Sequence, residues 1–212
     1  AAGTVAGINY LLGNPFTKKE LIPFAMEGER LACGSAHADN VAPALLGGFT
    51  LVRDTDPLDI CALPTPLELV ATVIHPKIEV KTADARAILK KRVTLDKAIS
   101  QWGNVGALVS SLYEEDYDLL SRSLIDVIVE PTRAILIPHF SELKAACKEA
   151  GALGSGISGS GPSVFALSRG MPAANKVAHA IQSVLEETNI PFDIHVSPVK
   201  KTGVSFIEDL LI

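Results

Sequence analysis

The sequence predicts an α+β fold, because helical and strand patterns follow one another without the regular alternation of a doubly wound sheet. A glycine- and serine-rich stretch separates a predicted helix from a predicted strand, which is the reverse of the order in a dinucleotide-binding unit. The chain has 212 residues, of which 48% are hydrophobic. It can therefore bury the core of one large domain or two small ones.

The secondary structure of the first 60 residues is predicted from residues that typically begin or end a helix or strand. Residues 1–12 have a helical pattern that closes at Gly13, a plausible C-cap. Thr17 and Glu20 form a capping box, which predicts a helix over 18–33. Two glycines then precede a short strand at 49–52.

Residues 53–66 predict a linker, because they contain three prolines and several acidic residues. This stretch is the candidate boundary between domains. We therefore predict one domain over 1–60 and a second over 61–212.

The remaining elements alternate irregularly. A β-prone run at 67–74 ends at His75-Pro76, and the segment before the glycine stretch has the apolar spacing of an amphipathic helix. Pro131 interrupts the helical pattern that begins at Asp116, and Pro138 stands just before the helix that leads to the glycine stretch. The predicted helices of this half cover 83–91, 95–113, 116–129, 140–150 and 173–187, and the strands cover 67–74, 164–167, 192–197 and 202–207.

Composition limits the classes of function. Charged residues make up 20% of the chain and the net charge is −5, which does not indicate a general nucleic-acid or membrane-surface binder. The three cysteines are widely spaced and odd in number, which favours a reducing cytoplasm over a disulfide framework. Cysteine and histidine show no metal-ligand spacing, and no apolar run reaches membrane-spanning length.

The stretch from Ser155 to Ser163 is the strongest candidate for ligand binding. Its three glycines allow a ligand to approach the backbone, and successive N–H groups can surround a phosphate. Pro162 stands where a Walker A loop needs lysine, so that motif is excluded. Composition alone leaves an ordinary flexible turn open.

Three further groups could contact a small polar ligand. His37, Asp39 and Asn40 follow a predicted helix end, where a simple turn is also common. Thr82 and Arg86 share a helix face, and Arg86 carries the planar fork that suits a carboxylate or a phosphate. Spacing alone leaves open a capping threonine, a solvated arginine and, for Arg133, a surface pair with Glu130.

Taken together, these blocks resemble the homoserine kinases, a family within the GHMP small-molecule kinase superfamily. The resemblance covers the entire chain. It is carried by five blocks of sequence: 34–43, 46–48, 80–89, 130–133 and 156–163. It implies a remainder of an S5-domain-2-like N-terminal domain followed by a ferredoxin-like C-terminal domain.

The resemblance also implies roles for the candidate residues. The family transfers the γ-phosphoryl group of ATP, with Mg²⁺, to the side-chain hydroxyl of L-homoserine in threonine biosynthesis. Asp39 and Asn40 would be catalytic, with Asn40 orienting the hydroxyl, and His37 would join them in the amino-acid pocket. The resemblance implies that Thr82, Arg86 and Arg133 bind the α-carboxylate. It implies that the nucleotide is bound by Gly156, Ser158, Gly159, Ser160 and Gly161.

One part of the family pattern is missing from the sequence. The main phosphate loop, and the acidic residue expected to help hold Mg²⁺, would precede Ala1. We therefore expect a chain truncated at its amino end and inactive alone, from a cytoplasmic enzyme that contacts neither nucleic acid nor membrane. A homodimer is one possible assembly of this enzyme.

Two rival interpretations remain at this point. A mevalonate-type kinase would share the glycine stretch but would not be expected to combine the block from His37 to Asn40 with two carboxylate-binding arginines. A non-catalytic amino-acid-binding module would keep the substrate residues without catalysing transfer.

Overall fold

The computed structural model describes residues 1–80 and 82–207, and it divides into two compact units. The first unit contains residues 1–65 together with the segment from Lys200 onward. The second unit contains residues 66–199. The units therefore meet in sequence between Thr65 and Pro66, five residues beyond the predicted boundary, and the chain's last described residues lie with the first unit. The division into 1–60 and 61–212 stays a prediction.

Three helices form most of the first unit: α1 (Ala2–Leu11), α2 (Ile22–Cys33) and α3 (Val41–Leu46). Their buried apolar residues form one cluster, which includes Ile22 and Leu45, both fully buried. The predicted capping box is present, since Thr17 N donates to Glu20 Oε2 at 2.8 Å and Glu20 N donates to Thr17 Oγ1 at 3.3 Å. The box encloses a turn, and α2 begins only at Ile22, later than predicted.

The stretch predicted as a linker is largely a β-hairpin, so that prediction is wrong. Strand β1 (Phe49–Thr55) pairs antiparallel with β2 (Leu58–Leu63). The side chains of Arg53 and Asp59 form an ion pair across the two strands. The prolines that suggested a linker lie in the turn and after β2, where a missing N–H does not interrupt the ladder.

Residues 202–207 do not form the predicted closing strand. Instead, the segment from Lys200 packs against the end of α3 through backbone hydrogen bonds. Gly48 N donates to Lys200 O at 2.8 Å, and Val204 N donates to Ala44 O at 2.8 Å. A Cβ at Gly203 would collide with Leu45 O, so only glycine permits this close approach.

The second unit is built on a four-stranded antiparallel sheet. Its strands are β3 (Leu69–Pro76), β4 (Gly154–Ile157), β5 (Val164–Arg169) and β6 (Phe192–Pro198), in the spatial order β4-β5-β3-β6. The chain runs strand, helices, two strands, helix, strand. This order and pairing are those of a ferredoxin-like fold, which confirms the fold class expected from the sequence.

A helical segment connects β3 to the rest of the sheet. It contains α4 (Thr82–Ala87), α5 (Leu95–Glu114), α6 (Tyr117–Ser123) and α7 (Glu130–Arg133), followed by a 3₁₀ turn at Ala134–Leu136. The helix predicted over 116–129 is therefore wrong beyond Ser123. The Asp126 carboxylate accepts hydrogen bonds from the N–H groups of Ile128, Val129 and Glu130, which begins a new helix there.

Two further helices, α8 (Phe140–Glu149) and α9 (Met171–Glu186), pack with the sheet around a second apolar cluster. Leu143 and Val177 are fully buried in it. No helix within the described residues is long and apolar enough to cross a membrane.

Candidate functional site

The glycine stretch is part strand and part loop. Gly154 to Ile157 form β4, so the loop predicted from Ser155 begins only at Ser158. Ser158 N donates to Ser163 O at 2.8 Å, and Gly161 N donates to Ser158 O at 3.0 Å. The candidate Gly156 consequently lies in the sheet, opposite Phe165, while Ser158, Gly159, Ser160 and Gly161 lie in a short hydrogen-bonded loop.

Within the loop, Gly159 is the position most open to a ligand. Its φ is +61°, and a Cβ built there would meet no atom within 4 Å. Gly161 also has a positive φ, but its Cβ would lie 3.0 Å from Ile137. The backbone around Gly159 is therefore accessible, as an anion-binding loop requires.

Arg133 ties this loop to helix α4. Its Nε donates to Ala85 O at 3.1 Å, and its Nη1 donates to Gly159 O at 2.9 Å. A guanidinium has five N–H groups, more than these two bonds use. The contact places a half-buried cation between the loop and Ala85, the residue that directly precedes Arg86.

Glu130 and Arg133 do not form the surface ion pair that their spacing in the sequence left open. The Glu130 carboxylate instead forms an ion pair with Lys144, and its side chain is only 13% exposed. A Cβ on Gly156 would lie 3.1 Å from Glu130 Oε2, so the carboxylate packs directly on β4. The Arg133 guanidinium therefore donates hydrogen bonds to the two carbonyl groups of Ala85 and Gly159.

A second contact fixes the far end of the loop. His75 Nδ1 lies 2.8 Å from Ser163 Oγ, which links the end of β3 to the last residue of the glycine stretch. The sequence analysis missed this residue. Its partner is 88 residues away, and only the pairing of β3 with β5 brings them together.

A cavity of about 230 Å³ opens beside β4 and α7. Arg133, Asp126 and Glu130 supply charged groups to its wall, and Gly156 and Gly159 supply backbone. It is large enough for a small polar molecule. The arrangement can therefore present a cation and accessible backbone to a charged ligand.

Arg86 lies in the last turn of α4 and is exposed. Thr82 begins the same helix, but its side chain lies outside the described part of the structure. The two residues are on one short helix, as their spacing predicts. Their role in binding a carboxylate stays a prediction.

The other candidate residues lie in the first unit, just before α3. Asn40 is the N-cap of α3, yet its carboxamide makes no capping hydrogen bond to the helix. Asp39 Oδ1 accepts a hydrogen bond from Asn40 N at 3.1 Å, and both side chains are exposed. His37 is partly buried and the intervening Ala38 is buried, so the backbone is anchored while polar groups face outward.

The described residues do not contain a cluster of three or more His, Cys, Asp or Glu side chains that could hold a metal ion. Mg²⁺ in kinase sites is usually held by one or two carboxylates together with substrate phosphates. The Mg²⁺ expected from the resemblance stays a prediction.

Comparison with known proteins shows the class of protein to which the chain belongs. The model of the GHMP kinases N terminal domain matches residues 1–48, and that of the GHMP kinases C terminal matches residues 88–187. The chain belongs to the GHMP kinase family.

Within that family, the chain is similar to homoserine kinases. It is 52% identical over 204 residues to the homoserine kinase of Chloroherpeton thalassium, covering 96% of this chain and 64% of the relative. The crystal structure of homoserine kinase from Cytophaga hutchinsonii matches with 57% identity and a TM-score of 0.91, over 94% of this chain and 64% of that one. The chain thus spans slightly less than two thirds of the length of these relatives. Mevalonate kinase of L. major, at 15% identity and a TM-score of 0.69, shares the fold.

Proposed function

We propose that the protein containing this chain is a homoserine kinase, which transfers the γ-phosphoryl group of ATP to the side-chain hydroxyl of L-homoserine. The relatives that support this proposal carry that name and are similar over nearly the whole chain. The product would be O-phospho-L-homoserine, in the route to threonine. We also propose a cytoplasmic location, because the odd number and wide spacing of the three cysteines favour a reducing compartment.

The contact of Arg133 with both Ala85 O and Gly159 O is the observation that carries the proposal. A kinase for an amino acid needs cations for the substrate carboxylate and a backbone loop for phosphate. Here one arginine joins the helix that carries Arg86 to the glycine loop. The two parts of such a site are therefore held in fixed relation within one unit.

In this proposal, Thr82, Arg86 and Arg133 bind the α-carboxylate of homoserine. Arginine suits this task because its rigid fork matches the two oxygens of a carboxylate. The backbone of Gly159 and its neighbours in the loop, with Gly156 behind them in β4, flanks the phosphates of ATP. Mg²⁺, when bound, would neutralise charge on those phosphates.

The residues before α3 would bind the remaining polar groups of the amino acid, its ammonium group and its side-chain hydroxyl. Asp39 would bind the substrate ammonium group, and His37 would help line the pocket. Asn40 would hold the side-chain hydroxyl, because its exposed carboxamide is not engaged in capping α3. An amide does not accept a proton near neutral pH, so Asn40 orients the nucleophile, and transfer depends on positioning and charge neutralisation.

The test is a coupled kinase assay on the complete gene product that contains these 212 residues. We expect turnover with L-homoserine to exceed that with L-serine or mevalonate by at least about 100-fold in kcat/KM, since a site built for polar groups rejects ligands that leave them unpaired. Arg86→Ala should raise the KM for homoserine and leave the KM for ATP nearly unchanged. Arg122→Ala is the matched control, because Arg122 is an exposed arginine of the same unit outside the candidate site.

Two results would contradict the proposal. Preference for a hydroxyl substrate without an α-amino acid group would assign the protein to another branch of the family. Homoserine binding by calorimetry without any turnover would favour the non-catalytic binding module.

A further inference from the structure

A second cavity, of about 360 Å³, lies where α4 leads into α5. Its walls come from the connection between these helices, the first turn of α5 and the segment around the start of α7. Thr132 of α7 is part of the wall, but Arg133 is not among the described residues that line this cavity. The Arg133 guanidinium is bonded instead to Ala85 O and Gly159 O. The cavity is therefore separate from the candidate site described above.

Three cationic side chains line this cavity. Lys90 and Arg92 come from the connection before α5, and Lys97 comes from the first turn of the helix. All three are exposed, and none forms an ion pair with another described residue. The described lining contains no Asp or Glu. Like charges around one cavity repel one another, and an anion bound between them would remove that repulsion.

Lys97 occupies a position that helix stability alone disfavours. The first turn of a helix carries a partial positive charge, which is unfavourable for a cation and favourable for an anion. The neighbouring Asp96 is of the acidic type expected in such a turn. A lysine at this position, lining a cavity with two other cations, is consistent with a bound anion.

The acidic residues near this cavity are engaged elsewhere. The Asp126 carboxylate accepts hydrogen bonds from three N–H groups at the start of α7. The Glu130 carboxylate forms an ion pair with Lys144. The whole chain has 24 acidic and 19 basic residues, so a basic cavity does not follow from its composition. The counter-charge is therefore expected to come from a ligand.

The other polar groups of the cavity are hydroxyls, which suit the oxygens of phosphate. Thr94 and Thr132 line the wall with the three cations. Thr94 is the N-cap of α5, but its side chain makes no capping hydrogen bond. The Arg92 guanidinium adds a planar fork that matches two phosphate oxygens. The volume exceeds that of the cavity beside β4, so there is room for more than one phosphate group.

We propose that this cavity binds a small anion with two linked phosphate groups, held by Lys90, Arg92 and Lys97. Inorganic diphosphate and the phosphate tail of a nucleotide share this chemistry, and the experiment below separates them. The site is apart from the residues assigned to phosphoryl transfer, so the proposal does not depend on the activity proposed above.

The test is calorimetric titration of the complete gene product with sodium diphosphate, without Mg²⁺. About 50 mM salt is used, because higher salt screens exposed charges. We expect saturable binding, and we expect Arg92→Gln or Lys97→Gln to raise the dissociation constant by about 10-fold or more. Both side chains are exposed, so the fold should tolerate the changes, and thermal unfolding confirms this.

Matched variants separate a built site from general charge attraction. Arg122→Gln and Lys176→Gln make the same charge changes at exposed positions of the same unit, and they should leave the dissociation constant nearly unchanged. Arg133→Ala should also leave it nearly unchanged. Absence of binding, or equal effects of Arg92→Gln and Arg122→Gln, would overturn the proposal. Binding lost in Arg133→Ala but kept in Arg92→Gln would place the anion in the candidate site and overturn it as well.

Other anions define the ligand. Inorganic phosphate and citrate should each bind at least about 10-fold more weakly than diphosphate, because one lacks the second phosphate group and the other presents carboxylates. Equal affinity for either would contradict the proposed chemistry. ADP is titrated into the wild type and into the triple variant Lys90→Gln, Arg92→Gln, Lys97→Gln. An ADP-binding event lost in the triple variant would assign a nucleotide to the cavity, and identical ADP isotherms would assign inorganic diphosphate.

A stability measurement tests whether the cation at position 97 serves binding or folding. Lys97→Glu places a carboxylate in the first turn of α5 and beside the other cations. In buffer without diphosphate, this variant should unfold about 1–3 °C higher than the wild type. It should lose the stabilisation that diphosphate gives the wild type. A lower unfolding temperature, or unchanged stabilisation by diphosphate, would show that Lys97 does not serve an anion site.

Discussion

Replacing Arg133 with alanine should weaken the binding of both substrates, because this side chain makes two separate contacts. One contact, Nε to Ala85 O at 3.1 Å, holds the helix that carries Arg86. The other, Nη1 to Gly159 O at 2.9 Å, holds the glycine loop. Arg133→Ala removes both, whereas Arg86→Ala should affect homoserine alone.

The magnitude follows from the strength of these bonds. A hydrogen bond from a charged donor contributes about 1.5–3 kcal/mol, and the lower value suits a half-buried side chain. Loss of about 1.5 kcal/mol at the loop corresponds to a roughly 10-fold higher KM for ATP. Homoserine also loses a direct contact with its carboxylate, so its KM should rise about 100-fold.

The assay is steady-state kinetics on the complete gene product with each substrate varied in turn, and with thermal unfolding to confirm that the variant is folded. Arg133→Lys keeps the charge but lacks the fork, so it should restore part of the homoserine affinity and little of the ATP affinity. A change in the homoserine KM alone would show that the contact with Gly159 does not position the loop. Unchanged values for both substrates would remove Arg133 from the site.

Three further changes test other parts of the structure. Leu143→Ala deletes a fully buried side chain of the second unit and should lower the free energy of unfolding by about 2–5 kcal/mol, measured by urea denaturation; an unchanged midpoint would contradict its place in the core. His75→Ala should raise the KM for ATP about 5-fold by freeing Ser163, and His75→Asn should restore it in part; an effect on homoserine alone would contradict this role. Burial raises the pKa of the Cys147 thiol to about 11, so at pH 8 only about 0.1% of this thiol is thiolate. In a Cys33→Ser variant, Ellman's reagent should therefore titrate the exposed Cys61 before Cys147. Equally fast reaction of both thiols would refute this order of reactivity.

Sequence patterns predicted the long helices well and the irregular segments poorly. Helix α5 was predicted to within one residue at its end, because its pattern is long and has clear limits. The helix predicted through 129 ended early, since the Asp126 side chain starts a new helix that no periodicity reveals. The strand predicted over 202–207 is wrong, because the attachment of this segment to α3 uses backbone groups that leave no trace in the sequence pattern.

The sequence indicated candidate residues, whose roles stay predictions, but not the contacts that those residues make. The glycine stretch indicated an accessible backbone, and Gly159 has one. The two acceptors of Arg133 are 48 and 26 residues away in sequence, so the spacing of residues could not identify them. His75 was missed for the same physical reason: strand pairing, not local sequence, brings it to Ser163.

The most direct test of the proposed function is to identify the phosphorylated product. The complete gene product should be incubated with ATP, Mg²⁺ and L-homoserine, and the reaction followed by phosphorus NMR and mass spectrometry. We predict a phosphate monoester on the side-chain hydroxyl, formed in equal amount to ADP and absent when homoserine is omitted. ADP formation that does not depend on homoserine, or a phosphorylated product only with a different acceptor, would contradict the account.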